Sequence, residues 1–90
     1  MKLLWTDLGW EHYNWWQAND PRVVARINEL HKDARRNPFK GIGHPEPLRD
    51  NLKGWWSRRI TEEHRLIYRV VGKGDEQALE ITACRFHYGR

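Results

Sequence analysis

Hydrophobic positions recur along this chain with two different periods. Val23, Val24, Ile27, Leu30 and Ala34 follow helical spacing, with Arg22, Arg26, Lys32, Arg35 and Arg36 around them. That pattern predicts a helix from Pro21 to about Asn37. Asp20 is its expected N-cap, and Pro21 suits the first helical position, where a missing N–H costs nothing. An earlier helix should begin after Thr6 or Asp7 as cap and end near Asn19, carrying Trp10, Tyr13, Trp15 and Trp16. Lys2 to Trp5 reads as a short strand before it. Further on the period becomes two. Over His64 to Val71, Leu66, Tyr68 and Val70 fall on one side and Arg65, Ile67 and Arg69 on the other. Trp55 to Ile60 reads as the preceding strand, with Thr61-Glu62-Glu63 as a tight connection. Gly72-Lys73-Gly74-Asp75 reads as a hairpin turn into a last strand, Gln77 to Cys84. Between helix and strands, Pro38, Gly41, Gly43, Pro45 and Pro47 predict irregular chain over most of Asn37 to Asn51. The order β-α-α-β-β-β, with hairpin links, implies an α+β domain over residues 1–90: an antiparallel sheet with a two-helix hairpin on one face.

Composition narrows what such a domain can be. Ninety residues provide for one core, which excludes a multidomain enzyme. Six Trp, three Tyr and two Phe supply bulk to a hydrophobic share of only 39%. Trp5, Trp10 and Trp15 are expected in that core rather than as base-stacking platforms. The single cysteine, Cys84, excludes a disulfide framework and a Cys-based zinc site, which suits a reducing cytoplasmic setting. Met1 to Trp5 is too short for the apolar region of a signal peptide, and no apolar run nears the roughly 20 residues of a membrane span.

The formal charge of +4 is unevenly placed. Residues 22–69 hold twelve cations against six anions, and eleven of the chain's sixteen cations are Arg. A basic middle of this kind attracts a polyanion, most often nucleic acid; the alternative is a solvated helix face. Arg59 and Arg65 fall on strands joined by a short turn, where cross-strand neighbours converge. A pair of guanidinium groups suits phosphate, unless Glu62, Glu63 or Glu80 neutralises it. His87 could move protons near neutral pH. Glu46 stands between Pro45 and Pro47, which restrict the backbone on both sides. Taken singly, His87 reads as a solvated residue and Glu46 as a loop acid. Together with the arginines they form the set that RNA self-cleavage uses: a base for the 2′-OH, cations for the phosphoryl oxygens and an acid for the departing 5′-oxygen. The five His, at 12, 31, 44, 64 and 87, lack metal-ligand spacing, and the set calls for no cofactor.

These residues carry a resemblance over nearly the whole chain. Ile27-Asn28-Glu29-Leu30, Asp33 to Phe39, Gly43-His44-Pro45-Glu46-Pro47-Leu48, Trp56 to Leu66 and Ala83 to Tyr88 resemble the YoeB family of the RelE/ParE toxin superfamily. The resemblance implies a ribosome-dependent mRNA interferase that enters the ribosomal A site and is held inactive by a YefM-type antitoxin. It also implies that the toxin can dimerise. By the same resemblance Glu46 is the general base, Arg65 stabilises phosphoryl charge with Arg59 assisting, His87 is the general acid and Tyr88 holds or stacks the substrate. Arg49, Arg35, Arg36, Lys53 and Arg58 are expected to contact RNA phosphates, or an acidic antitoxin segment competing for them. Two features depart from the family pattern: Gly89 and Arg90 follow the His-Tyr pair, and the turn from Gly72 to Gln77 is longer. The alternatives are a non-catalytic gyrase poison resembling the ParE branch and a plain RNA-binding module, neither of which needs Glu46 or His87.

Overall fold

A computed structural model describes residues 1–87. Strand β1 (Lys2–Trp5) leads into helices α1 (Asp7–Asn19) and α2 (Pro21–Arg36), followed by strands β2 (Glu46–Pro47), β3 (Trp56–Arg59), β4 (Arg65–Val71) and β5 (Ala78–Ala83). Both helix starts form as their sequences dictate. Thr6 Oγ1 accepts the Gly9 N–H at 3.1 Å, and Asp20 Oδ1 accepts the Arg22 N–H at 3.1 Å. Asp20 is also the hinge, because its own N–H closes α1 on the Trp16 carbonyl at 2.8 Å. One residue thus ends one helix and begins the next. Among the described residues, no helix is long and apolar enough to cross a membrane.

The helices cover one face of a five-stranded sheet ordered β1-β5-β4-β3-β2. Val23, Ile27, Leu30 and Ala34 of α2 and Trp16 of α1 meet Leu66, Tyr68, Leu79 and Ile81 in a single core. Helix α1 crosses β5 so closely that a Cβ on Gly9 would stand 2.6 Å from the Ile81 carbonyl oxygen. This glycine in the first turn of α1 is therefore required by packing, despite its poor helix propensity.

The α+β class and the helical hairpin agree with the sequence reading, while two features of the sheet correct it. First, the sheet is mixed: β1 runs parallel to β5, with Lys2 opposite Ala78 and Trp5 opposite Ile81. Hairpin logic fixes the direction only of strands joined by short turns, and these two lie at opposite ends of the chain. Second, the irregular segment contributes β2, a two-residue strand whose Glu46 pairs with Ser57. Pro47 is tolerated there because β2 is the sheet's edge. On the helix side of β4 Leu66 and Tyr68 are fully buried as the alternation predicts, while Ile67, on the other face, is buried too. Two of the large aromatics depart from expectation. Trp10 is 48% exposed and Trp15 38% exposed, so neither belongs to the core; Trp5 packs against it partly buried.

Candidate active site

The candidate residues gather on the face of the sheet away from the helices. Strands β3 and β4 pair so that Arg59 lies opposite Arg65 and Ser57 opposite Ile67. Side chains alternate across a strand, so buried Ser57 and exposed Arg59 share the face away from the helices while Trp56 and Arg58 turn inward. Glu46, opposite Ser57, joins that face from β2. Past β5 the chain continues beside the start of β4, where the Arg65 N–H donates to the Phe86 carbonyl at 3.1 Å. This brings His87 in. His44, Glu46, Ser57, Arg59, Arg65 and His87 line one cleft of about 210 Å³.

Local backbone geometry aims each group. Gly43, at φ +81, passes over Leu30 where a Cβ would come within 2.7 Å of Leu30 Cδ2, and its carbonyl accepts the Arg59 N–H at 2.7 Å. His44 follows in the left-handed region at φ +52, then Pro45 delivers Glu46 to β3. Such left-handed non-glycine residues need support from their surroundings and gather at functional sites. Arg65 is oriented by its own turn. Its Nη1 donates to the carbonyls of Thr61, Glu62 and His64 at 2.8, 3.1 and 3.1 Å. Its Nε and Nη2 make no hydrogen bond among the described residues, and that edge is the fork that suits a phosphate. The expected alternative, neutralisation by Glu62, Glu63 or Glu80, does not occur among the described residues. Glu80 instead accepts from Arg69 Nε at 2.7 Å. Two like charges on paired positions repel by roughly 0.2–1 kcal/mol, an effect that a bound anion relieves.

Arg58 overturns one expectation outright. It is 0% exposed and cannot reach RNA. All five guanidinium N–H groups are used inside: Nε donates to the Tyr68 hydroxyl at 2.9 Å, Nη1 to Asp33 Oδ2 at 2.6 Å and the Ile42 carbonyl at 3.1 Å, and Nη2 to the Asn37 and Lys40 carbonyls, both at 2.8 Å. The Tyr68 hydroxyl donates onward to the Pro38 carbonyl at 2.6 Å. The Arg58 hydrogen bond holds the Asp33 carboxyl below its ordinary pKa, with help from the Ile42 N–H. Arg58 therefore fastens the loop after α2, the same loop that presents His44 and Glu46.

A family model for the YoeB-like toxin of bacterial type II toxin–antitoxin systems matches residues 5–88. The chain belongs to that family. The Toxin YoeB of Escherichia coli (strain K12) is 57% identical over 88 residues, covering 98% of this chain and all of that one. A solved YoeB/ParE toxin from Agrobacterium tumefaciens superposes with a TM-score of 0.94 at 55% identity, over 98% of this chain and 100% of that one. Staphylococcus aureus structures of a YoeB dimer and of a heterotetrameric YoeB–YefM complex superpose at TM-scores of 0.85 and 0.84, with 40% and 42% identity and 98% of each chain covered.

On this YoeB fold the remaining sequence candidates separate. Arg49 lines an adjoining cleft of about 640 Å³ formed by residues 46–52, which meets the central one at Glu46. Lys53 is exposed just beyond it. Arg35 and Arg36 belong to α2, which covers the opposite face of the sheet, and are not part of this site. Arg35 donates to the Met1 carbonyl at 3.0 and 2.8 Å, and Arg36 pairs with Asp33 at 3.6 Å. Tyr88, like Gly89 and Arg90, lies outside the described residues. His44 and Ser57 line the cleft but were not singled out from sequence. The Gly43-to-Leu48 motif contains His44, but only pairing places Ser57 opposite Glu46.

Proposed function

We propose that this YoeB-family toxin is an endoribonuclease that cuts mRNA in the ribosomal A site and so stops translation. One observation carries the reading: Glu46, Arg59, Arg65 and His87, from three strands and the segment after β5, line a single cleft on an open face. In this reading Glu46 takes the proton from a ribose 2′-OH. The freed oxygen attacks the adjacent phosphorus and forms a cyclic phosphate. Arg65, assisted by Arg59, stabilises charge on the phosphoryl oxygens, and His87 protonates the departing 5′-oxygen. The proton removed and the proton supplied balance, and the four side chains provide every group without a metal or cofactor. Tyr88 would hold the substrate beside His87, and Arg49 and Lys53 would hold the neighbouring backbone. The small domain leaves substrate alignment to the ribosome, which presents the message already oriented.

The setting is the cytoplasm, where message and ribosome meet. By analogy with the S. aureus complex, a YefM-type antitoxin would bind and silence this toxin, and a homodimer would form as in the S. aureus relative. Expression of Glu46→Ala or His87→Ala variants tests the reading. Both should fold and dimerise like the parent but no longer arrest growth. If both variants arrested growth as the parent does, the reading would fail. Arrest accompanied by gyrase inhibition and intact message would point instead to the ParE-like alternative.

A further inference from the structure

The segment that carries His87 is held in an unusual way. Past Ala83 the β5 ladder ends, and Cys84 to His87 must satisfy their backbone groups elsewhere. Two do so on histidine rings. The Cys84 N–H donates to His12 Nδ1 at 3.1 Å, and the Phe86 N–H donates to His64 Nδ1 at 2.8 Å. The carbonyls are taken by the Trp16 indole N–H, at 2.8 Å from Cys84, and by the Arg65 N–H, at 3.1 Å from Phe86. Phe86 sits at φ +69, a conformation unfavourable for a residue with a Cβ. Its side chain is 53% exposed, so burial does little to hold it there. The two backbone hydrogen bonds do.

We propose that His64, seconded by His12, is a positioning residue for His87: as neutral imidazoles the two accept backbone N–H groups and lock the tail so that His87 reaches the cleft. The inference deepens the ribonuclease reading and rests on His87 as its general acid. An imidazolium donates from both nitrogens and cannot accept, so protonation of either ring turns a hydrogen bond into a repulsive contact. The surroundings favour the neutral form of both rings. Burial lowers the pKa of His64, and Arg85 and Arg65 lower it further against an opposing Glu63. Burial also lowers that of His12, aided by Arg85 and by His64 itself, against an opposing Glu11. The Trp16 ring meets the His64 ring nearly perpendicular at 4.8 Å, which fixes the plane of the imidazole. Neither histidine need touch RNA, because each acts through the backbone.

Two substitutions in the full-length toxin separate acceptor from bulk. His64→Phe keeps a ring against Trp16 but removes the acceptor. His64→Asn places a carbonyl oxygen near the Nδ1 position and does not titrate. On ribosomes programmed with a defined message, His64→Phe should lower kcat about tenfold or more with KM little changed, as misplacement of a catalytic group does. His64→Asn should restore most of kcat and move the acid limb of its pH profile downward. In parallel, ¹H–¹⁵N spectra should show the Phe86 amide titrating with the His64 ring in the parent and not in His64→Asn. Full kcat in His64→Phe, or equal loss in both folded variants, would overturn the proposal. So would a Phe86 amide insensitive to His64. If the parent itself left the message intact, the ribonuclease reading would fall, while the amide titration would still decide whether the clamp exists.

Discussion

Arg58 and Arg59 are neighbours on one strand and could hardly differ more. Arg58 turns toward the helices, is fully buried and has every donor engaged. Arg59 turns to the open face and makes no side-chain hydrogen bond or ion pair among the described residues. The difference is one step of strand alternation. It shows that the basic middle of the chain is two populations with separate duties. Arg58 holds the loop that delivers Glu46. Arg59, with Arg65, leaves charge uncompensated where a phosphate could sit.

Breaking the buried member should have the largest effect on stability. Arg58→Ala leaves Asp33 with only the Ile42 N–H and the Arg36 pair and takes the donor from three loop carbonyls, and each buried acceptor left unsatisfied costs about 1–3 kcal/mol. Chemical denaturation should show that loss, and activity should fall with the folded fraction. The two arginines on the other face should behave in the opposite way. Arg59→Ala should leave stability within about 0.5 kcal/mol of the parent. Arg65→Ala should lose more, because Nη1 ties its turn. Message cleavage by either should drop by roughly 10²-fold, as loss of a donor to developing charge does. A cleavage defect in Arg59→Ala fully explained by unfolding would erase the contrast.

Acid should sharpen it further. His12, His31 and His64 all have pKa values lowered from the ordinary 6.5, chiefly by burial. Below pH 6.5 the unfolded chain takes up protons that the folded chain resists, so stability is full above that pH and declines as pH falls. The lowered Asp33 adds a further decline below its ordinary 3.8, as its bond to Arg58 is lost. Thermal melts at pH 7.5 and 5.5 should show a lower Tm at the acid value, and the difference should shrink in His64→Asn. The smallest effect belongs to Arg36→Ala. Its 3.6 Å pair with Asp33 is exposed on the arginine side, worth at most about 1 kcal/mol, and its position on α2 lies on the opposite face from the cleft. Cleavage should be unchanged; a large defect would return Arg36 to the RNA-binding surface.

What could be read from the sequence was local. Thr6 and Asp20 cap helices through bonds to residues two or three positions on, and the Thr61-to-Glu63 turn sets Arg59 opposite Arg65. The burial of Arg58 is not legible in the sequence because its partner Asp33 is 25 residues away, and a run such as Ser57-Arg58-Arg59-Ile60 does not say which arginine turns inward. The parallel β1–β5 pairing, the need for glycine at position 9 and the exposure of Trp10 and Trp15 all depend on contacts between distant segments. Glu46 and His87 were individually unremarkable in sequence. The roles proposed for them come from resemblance to the family, and it is the register of β2 and the run of the chain past β5 that brings them to one cleft.

The most direct test is 5′-end mapping of transcripts after brief expression of the toxin and of its His87→Ala variant. New ends should appear within codons of translated messages and disappear when ribosomes are kept off the message, and the variant should give none. Cuts independent of ribosomes, or an unchanged pattern in the variant, would contradict the ribonuclease reading.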